Sequence, residues 1–302
     1  MSFFLALIVV LFLFLISAAF VILILGPLIL LQPHRRTREW YARFTSILEP
    51  KDAGLPQEDV VLTTPDGARL SCWLLEQKKT GRGTIIYLHG VGDCNIGGIA
   101  VAAFLYAQGF NVFLYDSRHH GESGGKYCTY GFYEKHDVST VIDYLLDREN
   151  LRKGKIGLFG TSMGAAVAIQ AAAVDIRISG LVAEASFTTL RSIAVDYQRR
   201  LIKLPWHFLR NVALARSQRV AGFKARFVAP ILDIKRLHCP ILFVHGLLDT
   251  FIDVQYSKEL HAACPGPKQL LLIEGAGHND LWDIGGKKYE EALSGFFKST
   301  LR

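Results

Sequence analysis

Cysteine is scarce in this sequence and never closely spaced. The five residues, Cys72, Cys94, Cys128, Cys239 and Cys264, are odd in number and include no C-x-x-C pair. That argues against a disulfide framework and a cysteine zinc site. Such dispersed thiols suit a reducing compartment. There is no internal repeat and no low-complexity linker, so neither a solenoid nor a disordered array is expected. No phosphate loop, no G-x-G-x-x-G after a strand and no cluster of metal ligands occurs, so neither cofactor nor metal is expected. Charge is missing from one long stretch: Phe3 to Leu31 carries none, and Leu, Ile, Val, Phe and Ala dominate it.

A helix needs about 20 apolar residues to cross the hydrocarbon of a bilayer. The uncharged stretch exceeds that, so residues 1–32 read as a single-pass transmembrane anchor, with Gly26 and Pro27 marking or kinking its distal end. A cleaved signal peptide is the competing reading, but it would want basic residues before a shorter apolar run. Arg35, Arg36 and Arg38 follow the run, with His34 beside them. The positive-inside rule therefore places the rest of the chain in the cytoplasm, with Trp40 and Tyr41 at the interface. Residues 33–57 form a juxtamembrane junction. The net charge of +7 is attributed to a membrane surface rather than to nucleic acid, for which no recognition module is present.

Residues 58–302 alternate between strand-like and helix-like patterns, enough chain for one α/β domain with an ample core. Strands are expected at Asp59–Leu62, Arg69–Leu75, Thr84–Leu88, Asn111–Tyr115, Lys155–Phe159, Gly180–Glu184, Ile241–His245 and Gln269–Ile273. Pro65-Asp66-Gly67 is a turn signal that makes the first two an antiparallel hairpin. The later runs are short and apolar, as buried parallel strands are. Helices are expected at about Ile96–Ala107, Gly131–Leu146, Met163–Ala173, Val254–Ala262 and Lys287–Leu301. The sum is a mostly parallel eight-stranded sheet with helices on both faces. Residues 187–234 break the rhythm and read as a helical cap over the carboxyl edge of the sheet, where ligands bind in such folds.

Gly160-Thr161-Ser162-Met163-Gly164 matches G-x-S-x-G between a strand pattern and a helix pattern, the context that gives the motif meaning. Its glycines permit a strained turn that lifts the Ser162 hydroxyl clear of the sheet. A serine hydroxyl is a weak nucleophile and needs a base. His278, in Gly275-Ala276-Gly277-His278, follows the last strand and lies at the same sheet edge. The imidazole needs an acid to fix its tautomer. Asp249 follows the strand Ile241–His245 and is preferred to Asp253, which suits a helix cap. Two backbone N–H groups should hold an oxyanion: that of Met163, and one from His89-Gly90-Val91-Gly92, with Val91 favoured and Gly92 possible. His89 is expected to be structural.

These segments carry a resemblance. The chain over roughly Asp59 to Leu301 resembles the α/β-hydrolase superfamily. Within it the chain is most similar to the membrane-anchored branch related to yeast Bem46, and to serine-aminopeptidase-like and monoacylglycerol-lipase-like hydrolases. The carrying residues are His89-Gly90-Val91-Gly92, Asp116-Ser117-Arg118-His119-His120-Gly121-Glu122-Ser123, the Ser162 pentapeptide, Cys239–Asp249 and Gly275–His278. The second string resembles the family's D-x-R-G-H-G-x-S loop with His119 in place of glycine. In the family this loop is structural, so the resemblance implies no catalytic role for Asp116, Arg118 or His120. It implies the α/β-hydrolase fold and a serine hydrolase of carboxylic esters acting through an acyl-enzyme.

In residues 187–234 nine Lys or Arg accompany two Asp. Arg191, Arg199, Arg200, Lys203, Arg210, Arg216, Arg219, Lys224 and Arg226 interleave with Leu201, Ile202, Leu204, Trp206, Phe208, Leu209, Val212 and Phe223. Such a surface suits anionic headgroups, or is an amphipathic cover packed on the core. Placement beside a bilayer points to a lipid ester or thioester as substrate, and so to lipid metabolism. An amidase or peptidase on the same residues, or an inactive membrane scaffold, are the other readings.

Overall fold

The computed structural model describes residues 3–79, 81–151, 153–201 and 207–301. Ile202, Lys203, Leu204 and Trp206 lie outside the described residues. An eight-stranded sheet runs in the order β1-β2-β4-β3-β5-β6-β7-β8. Its strands are β1 Glu58–Thr63, β2 Arg69–Leu75, β3 Thr84–Leu88, β4 Asn111–Tyr115, β5 Ile156–Thr161, β6 Ile178–Glu184, β7 Ile241–Gly246 and β8 Lys268–Ile273. The sheet is mixed where a mostly parallel one was expected. β3 to β8 pair in parallel, but β2 pairs antiparallel with both β1 and β4. The hairpin follows from local chemistry. Gly67 takes φ 86°, and Thr64 and Ala68 close the turn by a 2.9 Å backbone bond. The β2–β4 ladder joins segments distant in the chain, which no local signal announces.

The helices are α1 Phe3–Phe20, α2 Gly26–Leu31, α3 Arg38–Tyr41, α4 Ile99–Ala107, α5 Glu134–Asp147, α6 Met163–Ala172, α7 Leu190–Leu201, α8 His207–Ala221, α9 Pro230–Asp233, α10 Val254–Ala263 and α11 Leu281–Thr300. Side chains along a strand alternate between its faces, and the core divides accordingly. Ile86, Leu88, Phe113 and Leu158 join α5, α6 and α10 in one hydrophobic layer. Ile85, Tyr87, Val112 and Phe159 join α4 and α11 in the other.

α1 and α2 form one apolar helix of 29 residues, Phe3–Leu31, long and apolar enough to cross a membrane. A wider π turn at Val21–Leu25 separates them, ahead of Pro27, which offers no N–H to the helical ladder. α1 buries nothing in the domain, whereas Pro27 and Leu31 of α2 are buried. α2 lies against α8: a Cβ at Gly26 would stand 3.0 Å from the Cβ of Ala213. The 187–234 insertion contains α7, α8 and α9 and no strand among its described residues.

Candidate active site

The turn from β5 to α6 is built by what its glycines lack. A Cβ on Gly160 would meet the Gly164 carbonyl oxygen at 2.4 Å, and one on Gly164 would meet that of Leu88 at 2.0 Å. Ser162 sits between them at φ 53° and ψ −114°. Such a conformation in a non-glycine residue costs about 1–3 kcal/mol and persists only where its surroundings impose it. Its N–H donates to the Glu184 carbonyl at 2.7 Å.

The loop after β8 brings His278 to this serine. The Ser162 Oγ lies 3.1 Å from His278 Nε2, and His278 Nδ1 lies 2.7 Å from Asp249 Oδ2. Ionised Asp249 can only accept, so Nδ1 carries the proton and Nε2 is free to accept one from the serine. The loops after β7 and β8 are tied together. The Leu248 N–H donates to the Ala276 carbonyl at 2.8 Å, and a Cβ on Gly246 would stand 2.4 Å from that same oxygen. Asp253 takes the separate role expected of it. It caps α10 by accepting from the Gln255 N–H at 2.9 Å.

Asp249 is held on every side. Its side chain is fully buried. Oδ1 accepts from the N–H groups of Phe251 at 2.7 Å and Ile252 at 2.9 Å. Burial pushes its pKa up, but the hydrogen bonds from His245 and His278, the nearby charge of His278 and the Ile252 N–H outweigh burial. They hold it well below the ordinary carboxylate range. His245, at the end of β7, was not singled out from the sequence. Its Nε2 lies 3.0 Å from the Ile252 carbonyl and 3.2 Å from Asp249 Oδ2, so that nitrogen carries the proton, and Nδ1 accepts from Ser257 Oγ at 2.7 Å. A histidine inside an otherwise apolar strand pattern, four residues before Asp249, was the available signal. Phe251 was missed too; its ring stacks on His278 with centroids 5.6 Å apart. Arg200, from the insertion, lies 4.4 Å over that ring and donates to the Thr250 and Phe251 carbonyls at 2.7 and 2.6 Å. A cavity of about 400 Å³ opens here, lined by Asp196, Arg199, Arg200, Asp249, Phe251 and Asp253 among others. Below the elbow, Glu184 accepts from the Tyr289 hydroxyl. Burial raises its pKa, and the bond from Tyr289 and the charges of His278 and His245 offset part of that rise.

The loop after β3 passes over the serine: a Cβ on Gly90 would stand 3.4 Å from that of Ser162. His89 is buried and structural in its contacts. Its Nε2 accepts from the Ser117 N–H at 2.9 Å, and its Nδ1 donates to the Gly90 carbonyl at 2.8 Å. Val91 packs against the core. Met163 opens α6, where N–H groups have no intrahelical acceptor. The Asp116 loop is a scaffold. Asp116 accepts from the N–H groups of Asn95 at 2.7 Å and Glu122 at 2.8 Å. Arg118 pairs with buried Asp137 at 2.5 Å and with Asp66 at 2.8 Å, and His120 is buried. His119 adopts φ 62°, a left-handed conformation that glycine takes without strain, which accounts for the family's glycine there.

The family model described as serine aminopeptidase, S33, matches residues 79–226. Protein YqkD of Bacillus subtilis is 34% identical over 215 residues, covering 70% of each chain. The α/β hydrolase domain-containing protein WAV2 of Arabidopsis thaliana is 28% identical over 253 residues, covering 80% of this chain and 79% of its own. Among solved structures, the Pyrococcus furiosus esterase Pf2001 superposes with a TM-score of 0.69 at 26% identity, over 84% of this chain and 95% of its own.

Proposed function

Because the chain belongs to the α/β-hydrolase superfamily and is an enzyme of the hydrolase kind, we propose that it cleaves carboxylic esters through Ser162, His278 and Asp249. The observation that carries this reading is the unbroken chain of hydrogen bonds from Ser162 Oγ through His278 to Asp249. In the proposed reaction His278 Nε2 takes the hydroxyl proton as Ser162 Oγ attacks the ester carbonyl. The N–H groups of Met163 and Val91 hold the oxyanion. Collapse releases the alcohol, which takes the proton from His278, and leaves an acyl-serine. Water, deprotonated by the same nitrogen, then releases the acid. Asp249, held ionised, keeps the imidazole in the tautomer both steps need.

Residues 1–32 serve as the membrane anchor in this reading, and the domain faces the cytoplasm because Arg35, Arg36 and Arg38 flank the helix. The insertion of residues 187–234 acts as a cap, and its basic and apolar surface faces headgroups. A lipid ester or acyl thioester is the substrate that such a placement favours. The test is hydrolysis of a panel of acyl esters, thioesters and amides, together with labelling by a fluorophosphonate. Ester turnover and labelling that both vanish in Ser162→Ala support the proposal. Turnover of amides alone favours a peptidase, and folded protein that neither labels nor turns over is a scaffold.

A further inference from the structure

The segment joining the apolar helix to the domain does more than span a distance. It begins with the last carbonyls of α2, which a helix leaves without intrahelical partners. Leu30 accepts from the Tyr130 hydroxyl at 2.9 Å, and Leu31 from the Cys128 N–H at 2.8 Å. Cys128 in turn touches Met163, the residue after Ser162, with the two sulfurs 3.4 Å apart. The chain then runs over the loop after β3. The Arg36 N–H donates to the Gly92 carbonyl at 2.7 Å. Gly92 has φ 74°, and its Cα faces the His34 carbonyl so closely that a Cβ would stand 2.7 Å from that oxygen. Tyr41 donates its hydroxyl to the Asp93 carboxylate, the same oxygen that accepts from the Cys94 N–H at 2.9 Å. Arg35 donates to His119 Nδ1 at 2.7 Å, so the residue that departs from the family's glycine meets this segment.

We propose that residues 30–41 are a positioning strap for acyl transfer: they clamp the Gly90–Asp93 loop, and so aim the Val91 N–H at the oxyanion. This rests on the ester-hydrolase reading above and adds to it that the anchor's continuation is part of the site's framework. The physical reason is that a loop of glycines has many conformations of similar energy. Oxyanion stabilisation requires donors placed before charge develops, and a displacement of about 1 Å can cost about 10²-fold in rate. A strap that touches the loop from outside acts on the transition state and little on substrate binding.

The test uses the full chain in lipid nanodiscs with Arg36→Pro, which removes the N–H donated to Gly92 as well as the guanidinium beside Asp93, and Arg36→Ala, which removes the guanidinium alone. Tyr41→Phe removes only the hydroxyl on Asp93. Amide hydrogen exchange of a peptide spanning residues 89–96 is read beside kcat and KM for a soluble ester. The expected result is faster exchange and a kcat lower by about tenfold or more in Arg36→Pro, with KM within about twofold. Arg36→Ala, which loses the 3.8 Å ion pair with Asp93 but keeps the N–H, and Tyr41→Phe both fall between wild type and Arg36→Pro. Equal exchange in the proline and alanine variants overturns the strap, as does faster exchange with unchanged kcat. If Arg36→Pro does not fold, Tyr41→Phe decides by the same two readings. If wild type turns over no ester, the ester reading fails, and exchange alone then decides whether the strap holds the loop.

Discussion

At Asp249 burial and ionisation compete within one carboxyl, and four donors decide the contest in favour of charge. Asp249→Asn keeps the shape but lets the amide donate, which turns the imidazole to the wrong tautomer. The expected loss is about 10⁴-fold in kcat, measured on a soluble ester with KM little changed. The same residue shapes acid stability. Its pKa in the unfolded chain is about 3.9, and the folded value lies lower. The unfolded state therefore takes up the proton first. The stabilisation is fully present above the unfolded value and is lost as pH falls toward the folded one. Denaturant titrations at about pH 6 and about pH 3 should show wild type losing more stability between them than Asp249→Asn does. All five cysteines are buried. Burial lifts the Cys94 thiol to about 12 and that of Cys239 to about 11. Thiolate is the reactive form, so the native protein should consume almost no dithionitrobenzoate until denatured. At this scale much was readable in advance. Asp253 followed by a helix pattern announced a cap, which left Asp249 for the histidine. His245 and Phe251 were not readable in the same way, because their roles exist only once Ile252 and His278 are beside them.

The elements that build the site are four turns at the carboxyl edge, after β3, β5, β7 and β8. Each was visible as a strand pattern ending in small residues, because parallel strands all deliver their loops to one edge. The tightness of the elbow makes a contrast between two glycines. Gly164 leaves no room beside the Leu88 carbonyl, whereas an added Cβ at Gly295 in α11 meets nothing within 4 Å. Gly164→Ala should cost about 4 kcal/mol or more, with loss of activity. Gly295→Ala should stabilise by about 0.5–1 kcal/mol, since alanine suits a helix interior better. Thermal melts of the two variants measure the difference. The β2–β4 ladder is the element-scale feature that pattern alone missed. Alternation shows that a strand has a buried face and says nothing of which distant strand it pairs with or in which direction.

For the whole molecule, an apolar helix of 29 residues precedes the domain, and a crossing consumes about 20. If α1 makes the proposed crossing, the surplus is the stretch that leaves α1 and packs on α8. In the proposed placement the enzyme fractionates with membranes and resists alkaline carbonate. Its domain is digested by protease added to inverted vesicles and spared in intact cells. Release by carbonate, or digestion from the outer side, would remove the anchor or its orientation respectively.

By itself the sequence announced the strand patterns, the G-x-S-x-G turn between a strand and a helix, the loop residues Asp249 and His278 that the structure brings into hydrogen-bond reach of it, and the apolar helix. All of these are written in short-range periodicity, in residue type and in local turn chemistry. Only the tertiary structure decided the antiparallel insertion of β2, the support of Asp249 by His245, the stacking of Phe251 on His278 and the hold of Arg36 on Gly92. Those contacts join segments far apart in the chain. Their geometry comes from how whole layers pack, and no window of neighbouring residues contains it.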